Sequence, residues 1–285
     1  MKWYKLVFKQ LQPIHIGTRG YGVISETRLF IPGWTMWGAL TNTYGILNKW
    51  SSEDYKNEDN QKLFENITCF YPSFEPDGSK IMFPTFKYGE FYLREEKEKG
   101  EELSETEFRY QFVHTCISTA IHLEYLSAKE ASLHEMEVIL PKGRNGKKLC
   151  WVGLIGIDED IIKEKRLDNF LKEGLKIKIG GDVRYGLGKL QLVKMMEAKE
   201  ELKTWGISID GKIESNNSPS KHYLLLNDYT TFKGKIELLV EFNFQKEPPE
   251  LSTHKFYITP GSEVFLNKTT IEIKLVKGKG EIIHQ

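Results

Sequence analysis

The stretch Ile179–Leu192, IGGDVRYGLGKLQL, places four glycines, one arginine and one lysine within ten residues. Each glycine in a helix or strand interior costs about 0.5–1 kcal/mol of backbone entropy relative to alanine, so four so close together in this stretch call for a reason. Its flanks, LKIKIGG and KLQLVKM, alternate with period two, which predicts a strand entering the loop and a strand leaving it. Glycine admits φ > 0 and lets another backbone come close, and successive N–H groups in such a loop form a concavity for anions. Arg184 and Lys189 add charge and Tyr185 adds a stacking face, a set that suits a phosphate or an RNA backbone. A bulged hairpin without any ligand weighs equally on spacing alone.

Two nucleotide motifs fail at this loop. Gly181 and Gly186 have the Walker gap, but Leu187 stands where lysine is needed. The dinucleotide fingerprint fails as well, because no Gly-x-Gly opens the loop and no helix is expected after it.

Residues 3–11, WYKLVFKQL, alternate as a half-buried strand. PIHIGTRGYG (13–22) reads as a loop, and RLFIPG as a short extended segment closed by Pro32-Gly33. WTMWGALTNTYGILNKW then reads as a helix with Trp34, Trp37, Leu40 and Tyr44 along one face. SSEDYKNEDNQK (51–62) reads as an exposed connection, and the charge run 94–107 as a solvated loop or helix tip. YQFVHTCISTAIHLEYL, ASLHEMEVILP and KLCWVGLIGI read as strands, and residues 159–173 as a helix stopped by Gly174. Beyond about residue 200 a polar linker (211–222) precedes the strand-like KGKIELLVEFNFQ and KTTIEIKLVKGKGEIIH, with ITPGSEVFL between them. The order predicts an α+β chain whose sheets are covered by helices on one side. Two ferredoxin-like units fit the length of 285 residues, the second degenerate and mostly β. The expected division is 1–200 and 201–285.

Lys+Arg and Asp+Glu both number 40, so the chain does not coat DNA through excess charge, and any nucleic-acid site is a local patch. Cys69, Cys116 and Cys150 form no CxxC, which argues against a disulfide framework and a zinc ribbon. His114, His122 and His134 form no HxxxH or HExxH, so neither a metal nor another cofactor is expected. No window approaches the ~20 apolar residues of a membrane span, and MKWYKLVFKQLQ lacks the apolar core of a signal peptide. A soluble, cytoplasmic protein without membrane contact is expected.

Three segments together resemble the RAMP superfamily of CRISPR-associated proteins. IHIG…FIPGWTMWGAL, from Ile14 to Leu40, is similar to the family's "hIG … yIPGSSLRGAL". GGDVRYGLGKLQL is similar to its glycine-rich loop. SAKEASLHEMEVILPKG (127–143) is similar to a segment of backbone-type subunits of type III effector complexes. They span roughly residues 4–193. The resemblance implies a ferredoxin-like, RNA-recognition-motif-like fold that binds CRISPR RNA among other effector subunits. It points to Gly180, Gly181, Arg184, Tyr185, Gly186, Gly188 and Lys189, with His15, Gly17, Thr18 and Arg19, as the RNA-binding set. YITPGSEVFL (257–266) resembles a segment of cap subunits, so the resemblance implies a cap-like or a backbone-like subunit, with the chain length favouring the cap.

The departures from the family pattern matter too. Trp34, Thr35 and Trp37 stand where the family has small and basic residues, and the tryptophans either stack on bases or pack in the core or a subunit interface. The loop GTRGYGVISETRLF lacks the aspartate of target-cleaving subunits; Glu26 is its only carboxylate. A non-catalytic subunit is expected. The alternative is an endoribonuclease that processes CRISPR RNA with His15 in acid-base chemistry.

Overall fold

The computed structural model describes residues 1–97, 99–214, 219–227, 230–243, 246, 248–266 and 272–283. Glu98 in the charge run, 215–218 in the expected linker, and 244–245, 268–271 and 284 in expected strands lie outside the described residues.

The chain is mixed α+β, built around strands β1 (Lys2–Gln10), β2 (Tyr71–Ser73), β3 (Cys150–Ile157), β4 (Lys176–Lys178) and β5 (Lys189–Glu197), with helix α1 (Gly33–Leu47) between the first two. The strands form one antiparallel sheet in the order β4-β5-β1-β3-β2. Alternation along β1 explains its central place. Leu6 and Phe8 point to one face and Trp3 and Val7 to the other, and all four are buried. A strand buried on both faces pairs on both edges.

The first face packs against α1. Met36, Ala39, Leu40 and Tyr44 are the buried stripe of the helix, at spacings of three and four residues. They meet Leu6, Phe8, Trp151, Leu190 and Leu192. Burying each such side chain contributes about 1.5–3 kcal/mol. Trp151 has its indole N–H satisfied at 3.0 Å by Gln10, whose amide donates to the Ile139 carbonyl at 2.7 Å. The expected helical face shifts accordingly: Trp34 and Trp37 are half-buried at its border.

The second face is not open along its whole length. Tyr71, Val152 and Leu154 meet Trp205, Tyr223, Tyr257 and Leu275 from the later part of the chain. That part forms a sheet of β6 (Tyr223–Leu225), β7 (Ile236–Asn243), β8 (Glu250–Ile258), β9 (Ile273–Val276) and β10 (Lys279–Ile282), in the order β7-β8-β6-β10-β9. Its β6–β10 pair is parallel and the rest antiparallel. The central sheet is thus covered by helices on one face and partly by a second sheet on the other. The β9–β10 turn sits against the start of α1, where a Cβ on Gly33 would lie 2.5 Å from the Gly278 nitrogen. Gly33 permits that approach.

Residues expected to be a loop at 17–21 form a strand, Gly17–Tyr21, paired with Ile24–Thr27. Ile24–Thr27 also lies parallel to His134–Ile139, so a distant partner orders these glycines. The stretch expected to be strand from Tyr110 begins inside a helix, Glu105–Phe112, which Ser104 and Glu107 open as a capping box; strand Val113–Ser118 follows. The expected helix over 159–173 is two short pieces, Glu159–Glu164 and Leu167–Phe170, separated at Arg166 with φ +50°.

Candidate nucleic-acid interface

Strands β4 and β5 form the expected hairpin, with Lys178 opposite Lys189 as its last pair. The Ile179 N–H then donates to the Gly188 carbonyl at 2.9 Å and closes the loop. Inside it, Asp182 (φ +52°) leads a single 3₁₀ turn, Val183–Tyr185, which ends at Gly186 (φ +90°). Gly180 and Gly188 also have positive φ.

The loop lies directly on the other glycine-rich segment. Gly181 N–H donates to the His15 carbonyl at 3.0 Å, Gly188 N–H to the Pro13 carbonyl at 2.8 Å, and Leu11 N–H to the Lys189 carbonyl at 2.9 Å. A Cβ on Gly180 would stand 2.1 Å from the His15 oxygen, and one on Gly188 would stand 2.3 Å from the Ile179 oxygen. These two glycines serve a close backbone approach within the protein. Because the Gly181 and Gly188 N–H groups are spent on carbonyls, they offer nothing to an anion. The charge the loop presents outward is in side chains: Arg184 and Tyr185 are exposed and Lys189 is half-buried.

His15 is buried at 8% exposure. Its Nδ1 lies 2.7 Å from the Glu137 carbonyl oxygen. A carbonyl only accepts, so Nδ1 carries the proton. Gly17 and Gly181 flank the ring: a Cβ on Gly17 would be 3.4 Å from Nε2, and one on Gly181 3.2 Å from Cδ2. The Glu137 carboxylate accepts from the Thr27 N–H at 3.0 Å and from Arg109 at 2.7 Å. The imidazole is thus wedged between the loop and strand His134–Ile139. Thr18 is half-buried and Arg19 and Gly17 are exposed, with Arg19 reaching the Tyr21 hydroxyl at 3.4 Å. Glu26 is half-buried and lines a pocket with Thr18, Arg19, Arg28 and Arg109.

The tryptophans sit elsewhere. Trp34 packs on Tyr223, ring centroids 4.9 Å apart. Trp37 donates its indole N–H to the Gln61 carbonyl at 2.8 Å, with the Lys277 ammonium 3.7 Å from its ring centroid. Both border a groove of about 1120 Å³ between α1 and β7.

Sequence reasoning missed a cluster beside this groove. Arg28 donates to the Tyr223 hydroxyl at 3.0 Å and to Glu237 at 2.8 Å, and a second guanidinium nitrogen pairs with the same carboxylate. Tyr223 also donates to Glu237 at 3.1 Å. Burial opposes the charge on Arg28, and the bonds to Glu237 outweigh it, so its pKa is raised. The only local signal was an arginine directly before the apolar run Leu29–Ile31; its partners are some two hundred positions away. Among the described residues no group of three His, Cys, Asp or Glu side chains is placed to hold a metal, and no helix is long and apolar enough to cross a membrane.

No family model and no curated protein matches the sequence. By structure, the chain is similar to a chain of the Type III-B Cmr-beta bound to cognate target RNA and AMPPnP, at 16% identity and a TM-score of 0.61, covering 91% of this chain and 85% of that one. A chain of the Type III-B Cmr-beta bound to cognate target RNA gives 15% identity and a TM-score of 0.60, covering 91% and 86%. A CRISPR protein from Archaeoglobus fulgidus aligns over 100% of both chains at 13% identity with a TM-score of 0.42. The protein therefore shares its fold with these two chains of the Type III-B Cmr-beta.

Proposed function

We propose that this protein is a non-catalytic, CRISPR RNA-binding subunit of a type III effector complex, which contacts RNA backbone and neighbouring subunits around its glycine-rich loop. The observation that carries this reading is the docking of the loop onto Pro13 and His15, which joins the two glycine-rich motifs into one surface. Arg184, Tyr185 and Lys189, with Gly17, Thr18 and Arg19 of the adjoining segment, are its RNA contacts. Gly180, Gly181, Gly186 and Gly188 shape the backbone that presents them. Contacts to the backbone position RNA without reading bases, which fits a neutral chain with a local cationic site. Trp34 and Trp37 serve packing and the groove wall. His15 is a positioning residue: a buried imidazole held between a carbonyl and two glycines supports the loop instead of transferring protons.

A ferredoxin-like βαββαβ unit is the reading that the strand order β5-β1-β3-β2, with a helix after β1 and short helices after β3, supports. We read residues 1–200 as that unit and 201–285 as a β-rich extension. The test is purification of the tagged protein with its partners from cells, followed by sequencing of bound RNA. Repeat-derived guide RNA is expected, and Arg184→Ala with Tyr185→Ala and Lys189→Ala is expected to lose it. A protected 5′ tag assigns the cap position, and evenly spaced protection along the guide assigns the backbone. Absence of CRISPR RNA from an intact complex would refute the proposal.

A further inference from the structure

The lysines of the hairpin stem belong to a larger array. Register places Lys176 opposite Gln191 and Gln191 opposite Lys9, so these three side chains form one row across β4, β5 and β1. The next row along the same face is Lys178 opposite Lys189. On the reverse face the intervening Ile177 and Leu190 are buried, so the lysine rows face outward. Lys9, Lys176 and Lys178 are exposed, and Lys189 and Gln191 half-buried. Neighbouring strands are about 4.8 Å apart and rows two residues apart about 7 Å. Four ammonium groups therefore share a small patch.

Among the described residues none of these four lysines has a carboxylate within ion-pair distance. Lys9 and Asp77 are the two charges that act on the buried Cys150 thiol at the border of this face. Beyond β1, Lys142 and Lys148 form another like-charged bridge. Like charges directly opposite in a sheet destabilise it. With 40 acidic residues against 40 basic ones, the chain had ample means to pair them and leaves them bare here. The turn that seats Gly78 against Val7 and Val152 covers the sheet only up to this patch.

We infer that the open end of the central sheet, through Lys9, Lys176 and Lys178, is a second binding track for the sugar-phosphate backbone of single-stranded RNA, continuous with the glycine-rich loop through the Lys178–Lys189 pair. The track rests on the RNA-binding reading of that loop and extends it from a point contact to a path across three strands. The occupant is a polyanion because the patch offers four ammonium donors and one amide, with no carboxylate paired to them among the described residues. It is a single strand because a sheet face two rows deep meets one backbone.

The experiment compares the full-length protein, Lys9→Gln/Lys176→Gln/Lys178→Gln, and Arg184→Ala/Tyr185→Ala. The probe is fluorescein-labelled oligouridine, read by anisotropy across a salt series. Loss of three phosphate contacts lowers the slope of log K against log salt by about 2, and the triple variant is expected to show that loss. Its denaturation midpoint at low salt is expected to equal or exceed that of the wild type, because three repelling charges are gone. An unchanged slope in the triple variant with weakened binding in the loop variant would overturn the track and leave the loop reading standing. A loop variant that binds like wild type would overturn the loop reading, while the triple variant still decides the track. A triple variant that loses binding to phosphatidylserine vesicles but keeps the oligouridine slope would overturn RNA as the occupant.

Discussion

Two glycines of one loop are expected to respond very differently to the same substitution. Gly180 and Gly186 both have positive φ, +78° and +90°. Alanine at either position pays for a left-handed backbone, about 1–2 kcal/mol. At Gly186 nothing lies within 4 Å of the added Cβ, so the cost ends there. At Gly180 the Cβ would stand 2.1 Å from the His15 carbonyl oxygen, and the two backbones must separate by about an ångström to reach ordinary contact. That separation breaks the Gly181 N–H bond to the same oxygen, now 3.0 Å, and leaves the carbonyl of the buried His15 without that partner, a further 1–3 kcal/mol. Gly180→Ala is thus expected to cost roughly 2–5 kcal/mol and Gly186→Ala roughly 1–2 kcal/mol. Urea denaturation followed by tryptophan fluorescence measures both, with an unchanged m-value showing that the same cooperative unit unfolds. Equal midpoints for the two variants would refute the docking of the loop on Pro13 and His15.

Three further outcomes follow from buried groups. Glu237→Gln removes the charge that compensates the partly buried Arg28, whose side chain is 13% exposed; a loss of about 2–4 kcal/mol in thermal denaturation is expected, and an unchanged midpoint would refute the cluster's role. Burial pushes the His222 imidazole down to about 4, with Nε2 held by the Trp205 carbonyl and Nδ1 without a partner. Because the folded value is depressed, stability is intact above the unfolded value of about 6.5 and falls as pH drops from there to about 4, by at most about 3 kcal/mol; His222→Gln is expected to remove that part of the acid slope. Burial likewise pushes the Cys69 thiol up to about 12 and the Cys150 thiol up to about 11, so iodoacetamide on the native protein is expected to label Cys116, which is half-buried, first. Rapid native labelling of Cys69 would contradict its place in the core.

Local pattern carried the elements whose signal lies within their own residues. Strand β1, helix α1, strand β3 and the hairpin of β4 and β5 are all visible as alternation, helical spacing or glycine content. The reading failed where partners are remote. Gly17–Tyr21 looks like a loop because glycine is a poor strand former, and it becomes a strand by pairing with Ile24–Thr27, itself held by Glu135 and Met136. The helix Glu105–Phe112 had its capping box in plain view at Ser104 and Glu107, masked by the surrounding charge run. The glycine loop was legible as a site for close approach, but not that its first customer is His15 of the same chain. The lysine rows were invisible because a row across three strands exists only once register is known. Arg28, Tyr223 and Glu237 meet across the fold, and no spacing rule reaches that far.

The contact between Gly33 and Gly278 bears on how the chain is made. Helix α1 emerges from the ribosome before the turn that packs on its first residue, since Gly278 follows Gly33 by 245 positions. Strand β1 similarly waits for β3 and β5 before either edge is paired. Until β5 is made, a nascent chain carries an apolar helix and a strand with an unpaired edge, and such long-range closures are slow and prone to aggregation.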